Sequence, residues 1–314
     1  MRPYFHALLF VAIVSSLAAC SSDEPEAPTT APPVAAAEEK PAVEAVQAPP
    51  MPKPAPEGAV TGTGPVVDPN IVEGLDHVLT LPIRSPQNQA RDIYRHPKET
   101  LSFFGLQQKM SVIEITPGAG WYSEILAPLL KGTGRYIAAV WDEQVPDQPA
   151  YRADLNKKLA TLLSTKKYFG QTEVRRFDPR TPSFGPAGSA DMVLSFRNAH
   201  NWIADGTAPA YFKGFADVLK SGGVLGLVDH RAAPGAATDG KSGYVTEAQI
   251  IDLAIGAGFV LADQSEVNAN LKDTKDHPEG VWTLPPTLAL KDQDRAKYIG
   301  IGESDRMTLK FLKP

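Results

Sequence analysis

Glu114, Thr116, Pro117, Gly118 and Gly120 stand at and just after an apolar run, Val112 to Ile115, and just before an amphipathic stretch that begins near Trp121. A buried strand that breaks into a glycine turn and then a helix brings bare backbone close to a ligand. It also aims helix-end N–H groups at that ligand, which suits a nucleoside cofactor. A second set follows a later apolar run that ends at Phe196, where the sequence RNAHNW supplies Arg197, Asn198, His200 and Trp202. A third set, Asp229, His230 and Arg231, closes the next run. His200 and His230 are both candidate general bases, with Asn198 as a positioning group, and the sequence alone does not choose between the histidines. Trp121, Arg197, Trp202 and Arg231 form an aromatic and basic set suited to a planar or anionic small molecule.

These residues need elements that bring strand ends together. Pro97 and Gly105 bracket a short helix containing Leu101, Phe103 and Phe104, with proline at its first turn and glycine past its end. After the opening strand, Trp121, Ile125 and Leu129, and likewise Tyr122, Leu126 and Leu130, recur every four residues and predict a helix, with Pro128 perturbing its last turn. Gly132 and Gly134 lead into a strand RYIAAVW that ends at Asp142. A helix over about 152–163 precedes a third strand, TEVRRFD, that ends at Asp178. The fourth strand is ADMVLSF, the fifth VLGLVD, and a helix lies between them with Tyr211, Phe215 and Val218 on one face. Thr246 and Gln249 form a capping box for the next helix, followed by a strand near 259–267. The terminal DRMTLKFLKP alternates as a strand that pairs antiparallel across a long excursion, 268–304. Such alternation predicts a doubly wound α/β sheet, in which ligands bind at the carboxyl ends of the strands.

With these motifs in place, the stretch from Asp92 to Pro314 resembles the class I S-adenosylmethionine-dependent methyltransferases. Within them it is most similar to exported, methyltransferase-like bacterial proteins. The resemblance implies a Rossmann-like sheet, mostly parallel with an antiparallel C-terminal strand, and S-adenosylmethionine as cofactor. It assigns the cofactor turn to Glu114, Thr116, Pro117, Gly118 and Gly120, with Thr116 where the family usually has its first glycine, and brings in Phe196 at the end of the fourth strand. It gives Asp142 the ribose hydroxyls and Asp178 the adenine amino group. An acidic site of this kind favours a sulfonium cation. The transfer itself is an in-line displacement in which alignment supplies much of the acceleration.

The remaining sequence bounds the setting. Arg2 precedes an apolar run from Ala7 to Val14 that closes on Leu17, Ala18, Ala19 and Cys20, the only cysteine in the chain. This reads as a lipoprotein signal over 1–19, with Cys20 lipidated and inserted in a membrane. Ser21 after it favours the outer membrane over the inner, facing the periplasm, by resemblance to lipoprotein sorting rules. Residues 20–66 are rich in Pro, Ala, Glu and Thr and read as a disordered tether, at roughly 3 Å per residue long enough to reach on the order of 100 Å. Residues 67–314 are long enough for one methyltransferase-like domain with a substantial core. The net charge is −5 and no lysine or arginine cluster marks nucleic acid as substrate, which leaves a small or envelope-borne molecule. Gly235, Gly240, Lys241 and Ser242 match the P-loop spacing, but neither strand nor helix abuts them as phosphate binding requires, so they read as a mobile loop over the site. Nicotinamide binding is disfavoured by the missing third glycine, and no zinc-type His and Cys spacing, HExxH or GxSxG occurs, so no metal site is expected.

Overall fold

The computed structural model describes residues 69–170 and 172–314. The signal, Cys20 and the tether expected over 20–66 lie outside the described residues. Among the described residues no helix is long and apolar enough to cross a membrane.

Among the described residues four helices precede the sheet: α1 (Pro69–Leu79), α2 (Pro86–Gln89), α3 (Asp92–Arg95) and α4 (Pro97–Phe104). Proline sits in the first turn of α4, and Gly105 closes it in the left-handed conformation at φ 79°, donating its N–H to the Leu101 and Ser102 carbonyls. The sheet then builds up through β1 (Ser111–Ile115), α5 (Ser123–Leu130), β2 (Arg135–Trp141), α6 (Ala150–Leu163), α7 (Lys166–Phe169), β3 (Glu173–Phe177) and β4 (Ala190–Phe196). It continues through α8 (Ala199–Ala204), α9 (Ala208–Val218), β5 (Leu219–His230), α10 (Glu247–Gly256), β6 (Val260–Ser265), a 3-10 turn at Gly280–Thr283, α11 (Arg295–Ile301) and β7 (Arg306–Leu312). Pro128 lies within α5, whose end tightens into a bond from the Lys131 N–H to the Pro128 carbonyl. The Thr246 and Gln249 capping box at α10 forms as the spacing predicts.

Seven strands order as β3-β2-β1-β4-β5-β7-β6. β1 to β5 are parallel, and β7 runs antiparallel between β5 and β6, with Leu227 opposite Leu309. This is the expected doubly wound architecture with its antiparallel C-terminal strand. Alternation along β1 divides the core. Val112 packs toward α1, α4 and α5 with Leu75, Phe104, Ile125 and Leu126. Ile113 and Ile115 pack toward α8, α9 and α10 with Trp202, Phe212, Phe215 and Ile250. The chain winds outward from β1 toward β3 on one side and from β4 toward β5 on the other, so the β1/β4 junction is the switch point where a crevice opens.

The excursion over 268–304 is stitched to the body. Asn268 Nδ2 donates to Thr100 Oγ1 and to Thr308 Oγ1, both at 2.9 Å. Buried Asp273 accepts bonds from the Tyr244 hydroxyl, the Asp305 N–H and the His277 ring. The segment with the P-loop spacing is no phosphate cradle. Lys241 pairs with Asp239, and a Cβ on Gly240 would stand 2.2 Å from the His200 carbonyl, so the loop is packed onto α8 and is not a free flap.

Candidate functional site

Strand ends and loops converge on a cavity of about 770 Å³, within the size range of small-molecule sites. Its wall takes Glu114, Thr116, Pro117 and Gly118 from the end of β1, Phe196 to Asn198 from the end of β4, and His230 from the end of β5. Of the residues singled out above, His200, Trp121 and Trp202 also line it. Gly120, Asp142, Asp178 and Arg231 do not.

Thr116 has φ 44°, a left-handed backbone that glycine adopts freely and a β-branched residue only under strain. Its Oγ1 is buried without a partner among the described residues. Gly118, at φ 61°, faces open space, with nothing within 4 Å of where a Cβ would stand. Strained backbone, an orphaned hydroxyl and open room beside a glycine fit a group docked against this turn. Gly120 serves packing instead: at φ 98°, an added Cβ would lie 2.5 Å from Leu162 and 3.1 Å from Leu159 on α6. The two glycines therefore separate under mutation. Gly120→Ala is expected to cost about 1 to 3 kcal/mol of stability through overpacking and backbone strain. Gly118→Ala is expected to cost about 1 kcal/mol and chiefly to weaken ligand binding. Urea unfolding beside ligand calorimetry checks both, and equal stability losses would refute the distinction.

Glu114 is buried and held by the Tyr136 hydroxyl at 2.6 Å and the Ser123 hydroxyl at 3.2 Å. Burial pushes its carboxyl up to about 7, against the hydrogen bonds from Tyr136 and Ser123 and the charge of Arg95. Asp142 and Asp178 stand beside the wall, each next to a residue that lines it. Asp142 accepts the Gln144 N–H at 3.0 Å, and its neighbour Trp141 is the residue in the wall. Asp178 is gripped by the Arg180 guanidinium at 3.1 and 3.0 Å, which holds its carboxyl below the usual range, while Pro179 and Arg180 line the cavity. Arg231 turns to Asp305, Glu247 and Glu266 at 3.0, 3.0 and 2.6 Å, because consecutive residues leaving a strand point to opposite sides and His230 takes the cavity side.

The expectation of an acidic site is also corrected. The wall holds four arginines, Arg95, Arg152, Arg180 and Arg197, against two carboxylates, Glu114 and Asp205. Trp121 is fixed by its Nε1 donating to the Asn88 carbonyl at 3.0 Å and by the Arg84 and Arg95 guanidinium groups over its ring. Trp202 stacks on Tyr211 with ring centroids 4.2 Å apart, and Phe196 stacks on Tyr122. Asn198 Nδ2 donates to the Ile115 carbonyl at 3.1 Å and to Ser195 Oγ at 3.4 Å, clamping the ends of β1 and β4 together.

The two histidines meet with ring centroids 5.3 Å apart. Asp229 is fully buried and takes the backbone N–H groups of His200 and His230 at 3.2 and 2.8 Å and the His200 ring at Nδ1 at 2.9 Å. That bond makes Nδ1 the protonated nitrogen of His200 and leaves Nε2 with its lone pair. The His230 ring bonds Ser304 Oγ through Nδ1. Burial, then His200 and the charges of Arg197, Arg306 and Arg95, press the His230 pKa well down. Ligand atoms of His200, Asp229 and His230 gather within 4.8 Å, a grouping absent from the sequence spacing and able to hold a cation. Its carboxylate is already committed to three N–H donors, and the arginines that repel a proton from His230 would repel a metal ion too.

Sequence reasoning missed Arg95, Trp141, Tyr151, Arg152 and Trp282 in this wall. Arg95 ends a helix of four residues, too short to show a period, and Trp282 arrives from the long excursion, where its ring stands 6.2 Å from that of His200.

The fold has relatives of low identity among solved structures. A SAM-dependent methyltransferase from Aquifex aeolicus is 14% identical with TM-score 0.50, covering 79% of this chain and 99% of that one. A sarcosine dimethylglycine methyltransferase, so assigned provisionally, from Galdieria sulphuraria is 13% identical with TM-score 0.50, covering 72% of this chain and 86% of that one. The cyclase SpnF is 14% identical with TM-score 0.50, covering 78% and 94%. The fold is thus that of the class I S-adenosylmethionine-dependent methyltransferases. No protein-family model matches the sequence, and no curated protein matches it.

Proposed function

We propose that this protein is an S-adenosylmethionine-dependent methyltransferase acting on a small or envelope-associated acceptor, and that lipidated Cys20 holds it at the cell envelope, facing the periplasm from the outer membrane. The observation that carries the enzymatic reading is the joint wall of one cavity, in which the Thr116, Pro117 and Gly118 turn faces the same space as the His200 and Asp229 pair. S-adenosylmethionine, when bound, supplies a methyl group on a sulfonium. Thr116 and Gly118 accommodate it at the turn, and Trp141 and Pro179 wall the nucleoside end. His200, oriented by Asp229, takes the proton from the acceptor at Nε2. His230 is the poorer base because burial, His200 and the surrounding arginines disfavour its protonated form.

Calorimetry on the full chain with S-adenosylmethionine and S-adenosylhomocysteine tests the reading. Micromolar binding of either is expected, and Asp142→Ala, beside the Trp141 wall, is expected to weaken it. No heat and no thermal shift with both would sink it. A second reading, a binding protein on the same scaffold, draws on the four arginines of the wall, which oppose a cationic cofactor. That SpnF, with this fold, is a cyclase underlines that the scaffold alone does not name the reaction. The envelope placement is checked by the mass of the N-terminal peptide in membrane fractions. An unmodified Cys20 in a soluble fraction would overturn it.

A further inference from the structure

Around Glu303 the arginines exceed the carboxylates available to them. Glu303, buried, pairs with Arg91 at 2.5 Å and with Arg306 at 2.8 Å. Arg95 approaches it only to 3.6 Å, beyond a proper hydrogen bond. Arg95 is 2% exposed, its guanidinium lies 4.5 Å from the Trp121 ring centre, and its Nε and Nη2 are buried with no acceptor. Arg197 follows β4 at φ 62°, its backbone N–H tied to the Val228 carbonyl at 2.7 Å, and its guanidinium has no acceptor among the described residues. Both side chains line the cavity. Burial, with the charges of Arg306 and Arg91, lowers the Arg197 pKa to about 10. Burial and then Arg197 lower that of Arg95 as well. A buried guanidinium and a half-buried one, both short of acceptors among the described residues, form a site completed by an oxyanion, whose oxygens match the planar donor fork.

We infer that Arg95 and Arg197 form an oxyanion subsite that holds a carboxylate or phosphate carried by the acceptor, so that the molecule modified here is an acid. This rests on the proposed reading of the cavity as the meeting place of acceptor and base. Arg197, just past β4, stands three residues before His200 in α8, and both line the cavity with His230. The ring of Trp282 beside His200 adds an apolar surface for the body of such an acid.

The test uses the full chain with benzoate, phenyl phosphate and neutral benzamide as probes, read by calorimetry and thermal shift. Benzoate or phenyl phosphate is expected to bind in the millimolar range or tighter and benzamide not to bind. Arg197→Gln is expected to weaken the anion by about tenfold or more, the loss of a charge-assisted hydrogen bond. Arg197→Lys keeps the charge but not the fork and is expected to fall between. Arg95→Gln should act like Arg197→Gln. Because Arg95 is buried, near-ultraviolet circular dichroism checks its fold, and the Arg197 pair carries the test if it fails to fold. Equal binding of benzoate and benzamide, or indifference to both Arg197 variants, would overturn the subsite. S-adenosylhomocysteine and methylthioadenosine, which lacks the amino-acid carboxylate, separate the sources of the anion. If the arginine variants weaken the first and spare the second, the carboxylate held is the cofactor's and the acceptor assignment falls. If neither nucleoside binds while benzoate binds through Arg197, the methyltransferase reading fails and the subsite stands.

Discussion

Glu303→Gln is expected to lower the unfolding free energy by about 3 to 5 kcal/mol, the cost of removing one partner from a buried ion cluster. Its carboxylate is 4% exposed and serves Arg91, Arg95 and Arg306 together, so the substitution leaves three guanidinium groups with no counter-charge between α3 and the start of β7. Against a typical total of about 5 to 15 kcal/mol, that loss brings the domain close to its limit. Burial alone would raise this carboxyl. The charge of Arg306, the hydrogen bond from Arg91 and the charge of Arg95 overcome burial and hold it at about 2 instead of 4.5. A carboxyl with a depressed folded pKa stabilises fully above its unfolded value and loses that contribution as pH falls through the folded one. Here the window runs from 4.5 down to about 2, and the amount is on the order of 3 kcal/mol. Glu114 acts in a separate window and with opposite sign. Its folded pKa is raised, so it opposes folding increasingly as pH climbs from 4.5 to about 7. Urea unfolding from pH 2 to 8 checks both. An acid limb of equal size in wild type and Glu303→Gln would show that Glu303 is not its source.

His200→Gln is expected to lower methyl transfer by about 10²-fold or more, the usual worth of a positioned general base, while leaving the affinity for S-adenosylhomocysteine unchanged. The side chain lies within the cavity wall, and Asp229 fixes its tautomer so that Nε2 carries the free lone pair. His230→Gln is expected to cost much less turnover, since His230 is tied to Ser304 and kept neutral by burial and by nearby arginines. Transfer of labelled methyl groups into a small-molecule extract reads both variants at several pH values. A loss of turnover in His200→Gln that leaves S-adenosylhomocysteine binding intact supports the assignment. A larger loss in His230→Gln would reverse it.

The residues legible in the sequence share one property: their roles follow from neighbours within a turn or a strand. Val112 to Ile115, the glycines at 118 and 120, the Pro97 and Gly105 bracket and the Thr246 and Gln249 box all form where local pattern places them. The terminal strand was recognisable by alternation, though not its insertion between β5 and β6, which depends on edges far apart in the chain. Gly120 shows the limit within a single motif. Its positive φ is a local requirement of the turn, but whether the space beside it holds ligand or Leu162 is decided by α6.

By itself, then, the sequence determined the alternation of the main strands and helices, the turn at the end of β1 and a site at the strands' carboxyl ends, because hydrophobic period and turn chemistry act over a few residues. Only the tertiary structure decided the charge of the cavity and which residues wall it. Arg231 is adjacent to His230 yet is drawn away by Asp305, 74 positions later, whereas Arg95, with no local cue, is left in the wall with bonds unmade. Ion pairing and side-chain direction are settled by partners brought together in space, and those partners are invisible until the sheet has closed around them.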